Sequence, residues 1–112
     1  MNVTPFGKTY EKRPGMFHKT FSWEQSNGII DGVVAAVSGA YPLANVSTER
    51  SAFESRRYDT VTVMGDFFTV ALQYISRDAK GKDKVVARLS PKEDTDATKI
   101  AELDILVQNA MK

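Results

Sequence analysis

The stretch Ile29-Ile30-Asp31-Gly32-Val33-Val34-Ala35-Ala36-Val37-Ser38-Gly39-Ala40 decides the fold of this chain. Ile29, Ile30, Val33, Val34 and Val37 fit the stripe of an amphipathic helix, yet the same β-branched residues suit a strand. Gly32 and Gly39 each cost a helix about 1 kcal/mol relative to alanine, and three of the remaining positions are Val. The balance tips toward strand, and both readings stay open. If the segment is strand, residues 26–90 form one antiparallel sheet. If it is helix, the order is β-α-β-β-β-α.

Outward from that stretch, Ser26-Asn27-Gly28 before it and Tyr41-Pro42 after it are turn signals. Met16 to Trp23 is rich in aromatic residues and free of breakers, which predicts a strand. Pro5, Gly7, Pro14 and Gly15 divide residues 1–15 into short extended pieces, so residues 1–25 read as an N-terminal hairpin region. On the other side, Ser47 to Phe53, Arg57 to Met64, Phe67 to Arg77 and Lys84 to Ser90 are β-rich runs separated by turn chemistry. Gly65-Asp66 predicts a two-residue hairpin and residues 78–83 a polar loop, which makes consecutive strands neighbours.

The tail reads as an amphipathic helix over 94–111. Ile100, Leu103, Leu106, Val107, Ala110 and Met111 recur at helical spacing, behind Pro91 and the capping oxygens of Glu93, Asp94 and Asp96. Ala101 and Ile105 form a second apolar strip that one sheet would not obviously cover, which points to a partner chain. The resulting expectation is a single α+β domain over residues 1–112, with an N-terminal hairpin, an antiparallel sheet of about five strands and a C-terminal helix.

Composition agrees with a folded protein. The 112 residues are 42% hydrophobic and 26% charged, near the globular average, and their number suits one domain. Fifteen Lys and Arg against fourteen Asp and Glu give a net charge of +1, so any anion-binding surface must be local. Cysteine is absent, which removes disulfides, thiolate nucleophiles and most structural zinc sites. No apolar run approaches the ~20 residues that span a bilayer, and the first fifteen residues lack a signal peptide's apolar stretch. A soluble, unexported protein without a membrane partner is expected.

Alternation along the strands carries the functional hint, because side chains two apart share a face. Phe68, Val70, Leu72 and Tyr74 make an oily side of one strand, and Val85, Ala87 and Leu89 that of another. The wetter sides collect Arg56, Tyr58, Thr60, Thr62, Gln73, Arg77, Lys84 and Arg88. Arg and Lys reach phosphates, Thr and Gln bond bases or sugars, and Tyr58 offers a ring for stacking, so these eight are the candidate RNA-binding residues. The plainer reading is the solvated face of a half-exposed sheet.

Other motifs fall away. Gly7-Lys8-Thr9 lacks the glycine five residues earlier that a phosphate-binding loop needs. His18 is the only histidine, and no metal site or nucleophile–base pair can be built on it with cysteine. Asp94-Thr95-Asp96 starts like a calcium loop but lacks its glycine and closing glutamate, and helix capping accounts for it better. Asn2-Val3-Thr4 and Asn45-Val46-Ser47 match the glycosylation pattern by chance. Neither a catalytic constellation nor a cofactor is indicated, and an enzyme or protein inhibitor ranks third among the function classes.

The arrangement resembles the coat proteins of single-stranded RNA bacteriophages, the levivirus-like group. The resemblance lies in Lys19-Thr20-Phe21-Ser22-Trp23 as a hairpin end, residues 40–47 as the turn into a central strand, and residues 56–63 as the next strand. It continues in Val85-Val86-Ala87-Arg88-Leu89 running on to a helix at 96–103. It implies a structural virion protein, made in the host cytoplasm and without catalysis, whose homodimers join sheets edge to edge. It further implies that each helix covers the partner's sheet, which makes Ile100, Ala101, Leu103, Ile105, Leu106 and Val107 candidate dimer-interface residues. The dimers would assemble into an icosahedral capsid enclosing single-stranded RNA, with the wetter sheet face turned inward. The alternative is a small nucleic-acid-binding module of order β-α-β-β-β-α that forms no shell.

Overall fold

A computed structural model describes residues 7–15, 19–52 and 56–112. In chain order these form β1 (Lys8–Lys12), α1 (Trp23–Ala40), β2 (Asn45–Arg50), β3 (Tyr58–Met64), β4 (Phe68–Ile75), β5 (Lys84–Pro91) and α2 (Ala97–Ala110). The α+β class and the five-stranded antiparallel sheet are as expected, with order β1-β5-β4-β3-β2. Strands β2 to β5 run as a meander, and β1 closes the far side by pairing with β5, Lys8 opposite Leu89 and Lys12 opposite Val85.

The deciding stretch is helix, which overturns the lean toward strand. Ser22 accepts a hydrogen bond from the Gln25 backbone, and the Gln25 side chain accepts one from the Ser22 N–H at 3.0 Å, a complete capping box. Ser26, Ile30, Val33 and Val37 then fall on one buried stripe. Gly28, Gly32 and Gly39 lie on the exposed side, where a Cβ would meet nothing, so their cost to the helix is offset by the apolar stripe. Ser26-Asn27-Gly28 is accordingly helical and no turn. The predicted strand over 16–23 is also corrected: Trp23 opens the helix, Ser22 caps it, and Phe21 is a core residue. Residues 16–18 lie outside the described residues, as does residue 53 at the end of the first predicted β-run. The segment expected to make an N-terminal hairpin contributes, among the described residues, a single strand paired to β5.

Helicity of residues 23–40 changes where the last helix goes. With α1 already against the sheet, α2 lies beside it, and the two helices cover one sheet face together. Leu103 and Val107 are fully buried within their own chain, among Ile30, Val33 and Val37 of α1 and Val85, Ala87 and Leu89 of β5. The apolar face assigned to a partner's sheet is therefore used at home, with Ile100 and Leu106 half-buried at its margins. Of the six candidate dimer residues, only Ala101 and Ile105 are exposed, Ile105 at 58%. The Lys8 ammonium, 2.7 Å from the Asp104 carboxylate, and the Tyr10 hydroxyl, which donates to the same group, fasten β1 to α2.

Two turns are held by specific chemistry. The β3–β4 turn closes with the Gly65 N–H donating to the Phe68 carbonyl at 3.0 Å, and a side chain at Gly65 would overlap the fully buried Phe68 ring. Three residues separate the strands there, one more than the predicted two-residue turn. The β4–β5 turn is built on Asp78, whose carboxylate accepts from the backbone N–H groups of Lys80 and Lys82 at 2.9 and 3.2 Å and pairs with Arg13 at 2.6 Å.

Arg13 and those two N–H groups hold the Asp78 carboxyl down to about 2. A depressed carboxyl stabilises the fold fully above its unfolded value and loses that contribution as pH falls through the folded one. The Asp78 contribution is thus complete above about pH 4 and lost on the way to about pH 2. Asp78→Asn is expected to flatten this part of the stability–pH profile while leaving the shape above pH 5 unchanged, as measured by urea unfolding across the range.

Candidate nucleic-acid interface

The helices leave one sheet face open. The ladder registers place Thr60 opposite Gln73, Thr62 opposite Ala71, and Arg88 between Ala71 and Thr9 on that face. Lys84 and Ser90 continue it along β5, Thr69 along β4, and Ser47 and Glu49 along β2. The face is a Thr, Ser and Gln surface with charges at intervals. Lys84 sits 3.2 Å from Glu11 of β1, and Glu11 lies 3.3 Å from Arg13, so its charge is locally balanced. Arg88 is exposed and makes no ion pair among the described residues. Val86 is 2% exposed on this otherwise wet surface, flanked in the ladder by Glu11 and Gln73.

Five of the eight sequence candidates meet here: Thr60, Thr62, Gln73, Lys84 and Arg88. The other three do not, each for a structural reason. Strand β4 ends at Ile75, and Arg77 sits in the following turn with φ 54°, its N–H donating to the Asp83 carboxylate at 3.2 Å. Arg56 precedes β3 and lays its guanidinium over the Trp23 ring, 5.0 Å from the centroid, while its carbonyl accepts from the Asn27 side chain. At Tyr58 the alternation is interrupted, because the β2–β3 register shifts between Glu49 and Arg50. Tyr58 packs against the core cluster with Arg50 over its ring at 5.3 Å, and its N–H donates to Asn27 Oδ1 at 2.9 Å. Among the described residues no aromatic side chain remains on the open face for stacking.

Sequence reasoning missed a second feature, an open cleft of about 550 Å³ between the end of β1, the first half of α1 and the end of α2. Lys12, Arg13 and Lys112 border it together with Glu24, and Phe21, Gly28 and Gly32 form part of its wall. These residues are far apart in sequence. The signal that could have found them is the capping box at Ser22, because a helix starting there brings Gly28 and Gly32 toward the end of β1.

Among the described residues no group of three or more His, Cys, Asp and Glu could hold a metal ion, and no helix is long and apolar enough to cross a membrane. Asp96 caps α2 by accepting from the Thr98 N–H at 2.9 Å. His18 lies outside the described residues. Comparison with known proteins returned no matching family model, no similar curated protein and no similar solved structure.

Proposed function

We propose that the protein is a structural subunit that pairs with a second copy of itself through β2 and works in contact with single-stranded RNA. The observation that carries this reading is the state of the two sheet edges. β2 is six residues long and exposed throughout, has no Lys or Pro, and confines its two charges, Glu49 and Arg50, and its register shift to one end, so Asn45 to Thr48 are left without the devices that usually blunt an edge. β1, by contrast, carries Lys8, Glu11 and Lys12 in five residues and is tied to α2. Two-fold pairing about Ser47 sets Glu49 opposite Asn45. Pairing about Thr48 sets Glu49 opposite Ser47 and Arg50 opposite Val46. Neither register opposes like charges, and both make the open faces continuous.

Successive backbone N–H groups of a strand point to opposite sides, so one of Ser47 and Thr48 directs its N–H away from β3. The expected result is a dimer for the unmodified chain by light scattering. One of Ser47→Pro and Thr48→Pro should give a stably folded monomer, and the other should lose stability through its ladder with β3. A chain that scatters as a monomer at high micromolar concentration sinks the pairing. Extension of such dimers into an RNA-filled icosahedral capsid rests on the resemblance to RNA-phage coat proteins. A second reading, a small nucleic-acid-binding module without a shell, with four strands and not three between its helices, is favoured by one observation: α2 closes the core over its own chain and needs no partner's sheet to cover it. Negative-stain microscopy separates the two, by particles of megadalton mass or their absence.

A further inference from the structure

The net charge of +1 hides an uneven distribution of charge along a molecule 44 Å in its longest dimension. β1 ends, β3 and β5 begin, and α1 starts at the same end of the sheet as the β4–β5 turn: Lys12 pairs opposite Val85, Ile75 opposite Lys84, and Asn27 of α1 bonds the backbone on either side of Arg57. This end carries Lys12, Arg56, Arg77, Lys80, Lys82 and Lys112, none of which makes an ion pair among the described residues. Among the described residues the acids at this end are partly engaged: Asp78 and Glu11 pair with Arg13 and Lys84, and Asp83 lies inside the fold, while Glu24 at the rim of the cleft and Asp59 at the start of β3 make no ion pair. The opposite end carries Asp66 in the β3–β4 turn and Glu93, Asp94 and Asp96 ahead of α2, against two lysines, Lys92 beside that turn and Lys99 over the Phe67 ring.

The basic end also holds the chain's one tryptophan. Trp23 is 36% exposed, and Arg56 is stacked on its ring, a flat pair on which a nucleobase can lie. Cations about an open cleft with a stacking ring beside them suit a strand whose phosphates and unpaired bases are both accessible. Among the described residues the polar sheet face has no ring and little unbalanced positive charge, so it fits such a strand less well.

We propose that this basic end, and not the open sheet face, is the principal binding surface for single-stranded RNA, with Lys12, Lys80, Lys82 and Lys112 on the phosphates and a base against Trp23 and Arg56. The inference rests on the RNA reading above and moves its site. Its test is fluorescence anisotropy of a labelled single-stranded oligouridine with the full-length protein. Three variants are compared with the unmodified chain: K80E/K82E/K112E, the sheet-face variant R88A, and W23L. Because each reversed lysine is exposed, circular dichroism should be unchanged.

The expected result is binding weakened by more than about tenfold in K80E/K82E/K112E, with a shallower dependence on salt, and by less than about twofold in R88A. Trp23 emission should be quenched on titration with oligouridine and not with inorganic polyphosphate, which has no bases, and W23L should bind oligouridine several-fold more weakly with an unchanged salt dependence; W23L binding as the unmodified chain does overturns the stacking. If R88A alone weakens binding, the site is the sheet face, so the inference fails while the RNA reading stands. If the unmodified chain does not bind oligouridine, both fail. Binding to vesicles of phosphatidylserine and phosphatidylcholine in place of RNA overturns the inference in favour of a membrane surface.

Discussion

Asp83→Ala is expected to destabilise the protein by about 3–5 kcal/mol, a large part of the 5–15 kcal/mol typical of a domain. Asp83 is 1% exposed, and its carboxylate accepts from the Phe21 N–H at 3.0 Å, the Tyr74 hydroxyl at 2.5 Å and the Arg77 N–H at 3.2 Å. Its own N–H donates to the Lys19 carbonyl at 2.9 Å. One side chain thus ties the segment before α1 to the turn after β4 and satisfies the N–H of Arg77, held at a positive φ that a side chain rarely adopts. Burial, with the bond to Asp83, pushes the Tyr74 hydroxyl up to about 12, so it remains a donor throughout the neutral range. Arg57 completes the cluster, its guanidinium 4.1 Å from the Tyr74 ring centroid and Nη2 donating to the Phe21 carbonyl at 3.1 Å.

Alanine removes the acceptor and strands three donors in or near the core, each costing about 1–3 kcal/mol. Tyr74→Phe removes one donor and leaves the others bonded, so its cost should be about 1 kcal/mol. Chemical unfolding of the two variants checks the contrast. Equal losses would show that the bond from the Tyr74 hydroxyl, and not those from the Phe21 and Arg77 N–H groups, accounts for what the Asp83 carboxylate contributes.

Leu103→Ala should cost about 2–5 kcal/mol, the range for emptying a fully buried leucine site. The more informative part of the result is its dependence on protein concentration. Because Leu103 fills a site between α1 and β5 of its own chain, the loss is expected to be the same at every concentration. Were the helix seated on another copy, the variant would weaken association, and the loss relative to the unmodified chain would grow on dilution. Ile105→Ala is the control. Its side chain is 58% exposed, so it should change stability by no more than about 0.5 kcal/mol.

Both predictions depend on contacts that differ in how far sequence alone reveals them. The meander was legible because each of β3, β4 and β5 alternates against a single apolar face and is bounded by its own turn residues. Five of the eight residues that the alternation singles out share a face for the same reason. Tyr58 escaped because a register shift breaks the period, and Arg56 and Arg77 because the strands stop short of them. Alternation is a rule about strand interiors and says nothing of their ends. The tail helix was legible in its period and its Asp96 cap, but not in what it covers.

Local chemistry by itself determined the two-residue period of β3, β4 and β5, the turns between them, the 3.6-residue period and cap of the tail helix, and that no cysteine chemistry is open to the chain. Residues 29–40 lay beyond that reach, because β-branched side chains satisfy both periods and the choice is made by what they pack against. Tertiary structure decided it: a capped helix places Ile30, Val33 and Val37 on the sheet, draws α2 in beside it, and gathers basic residues distant in sequence at one end of the molecule. Charge and burial add up over neighbours in space, and a chain read in order does not know its neighbours until it is folded.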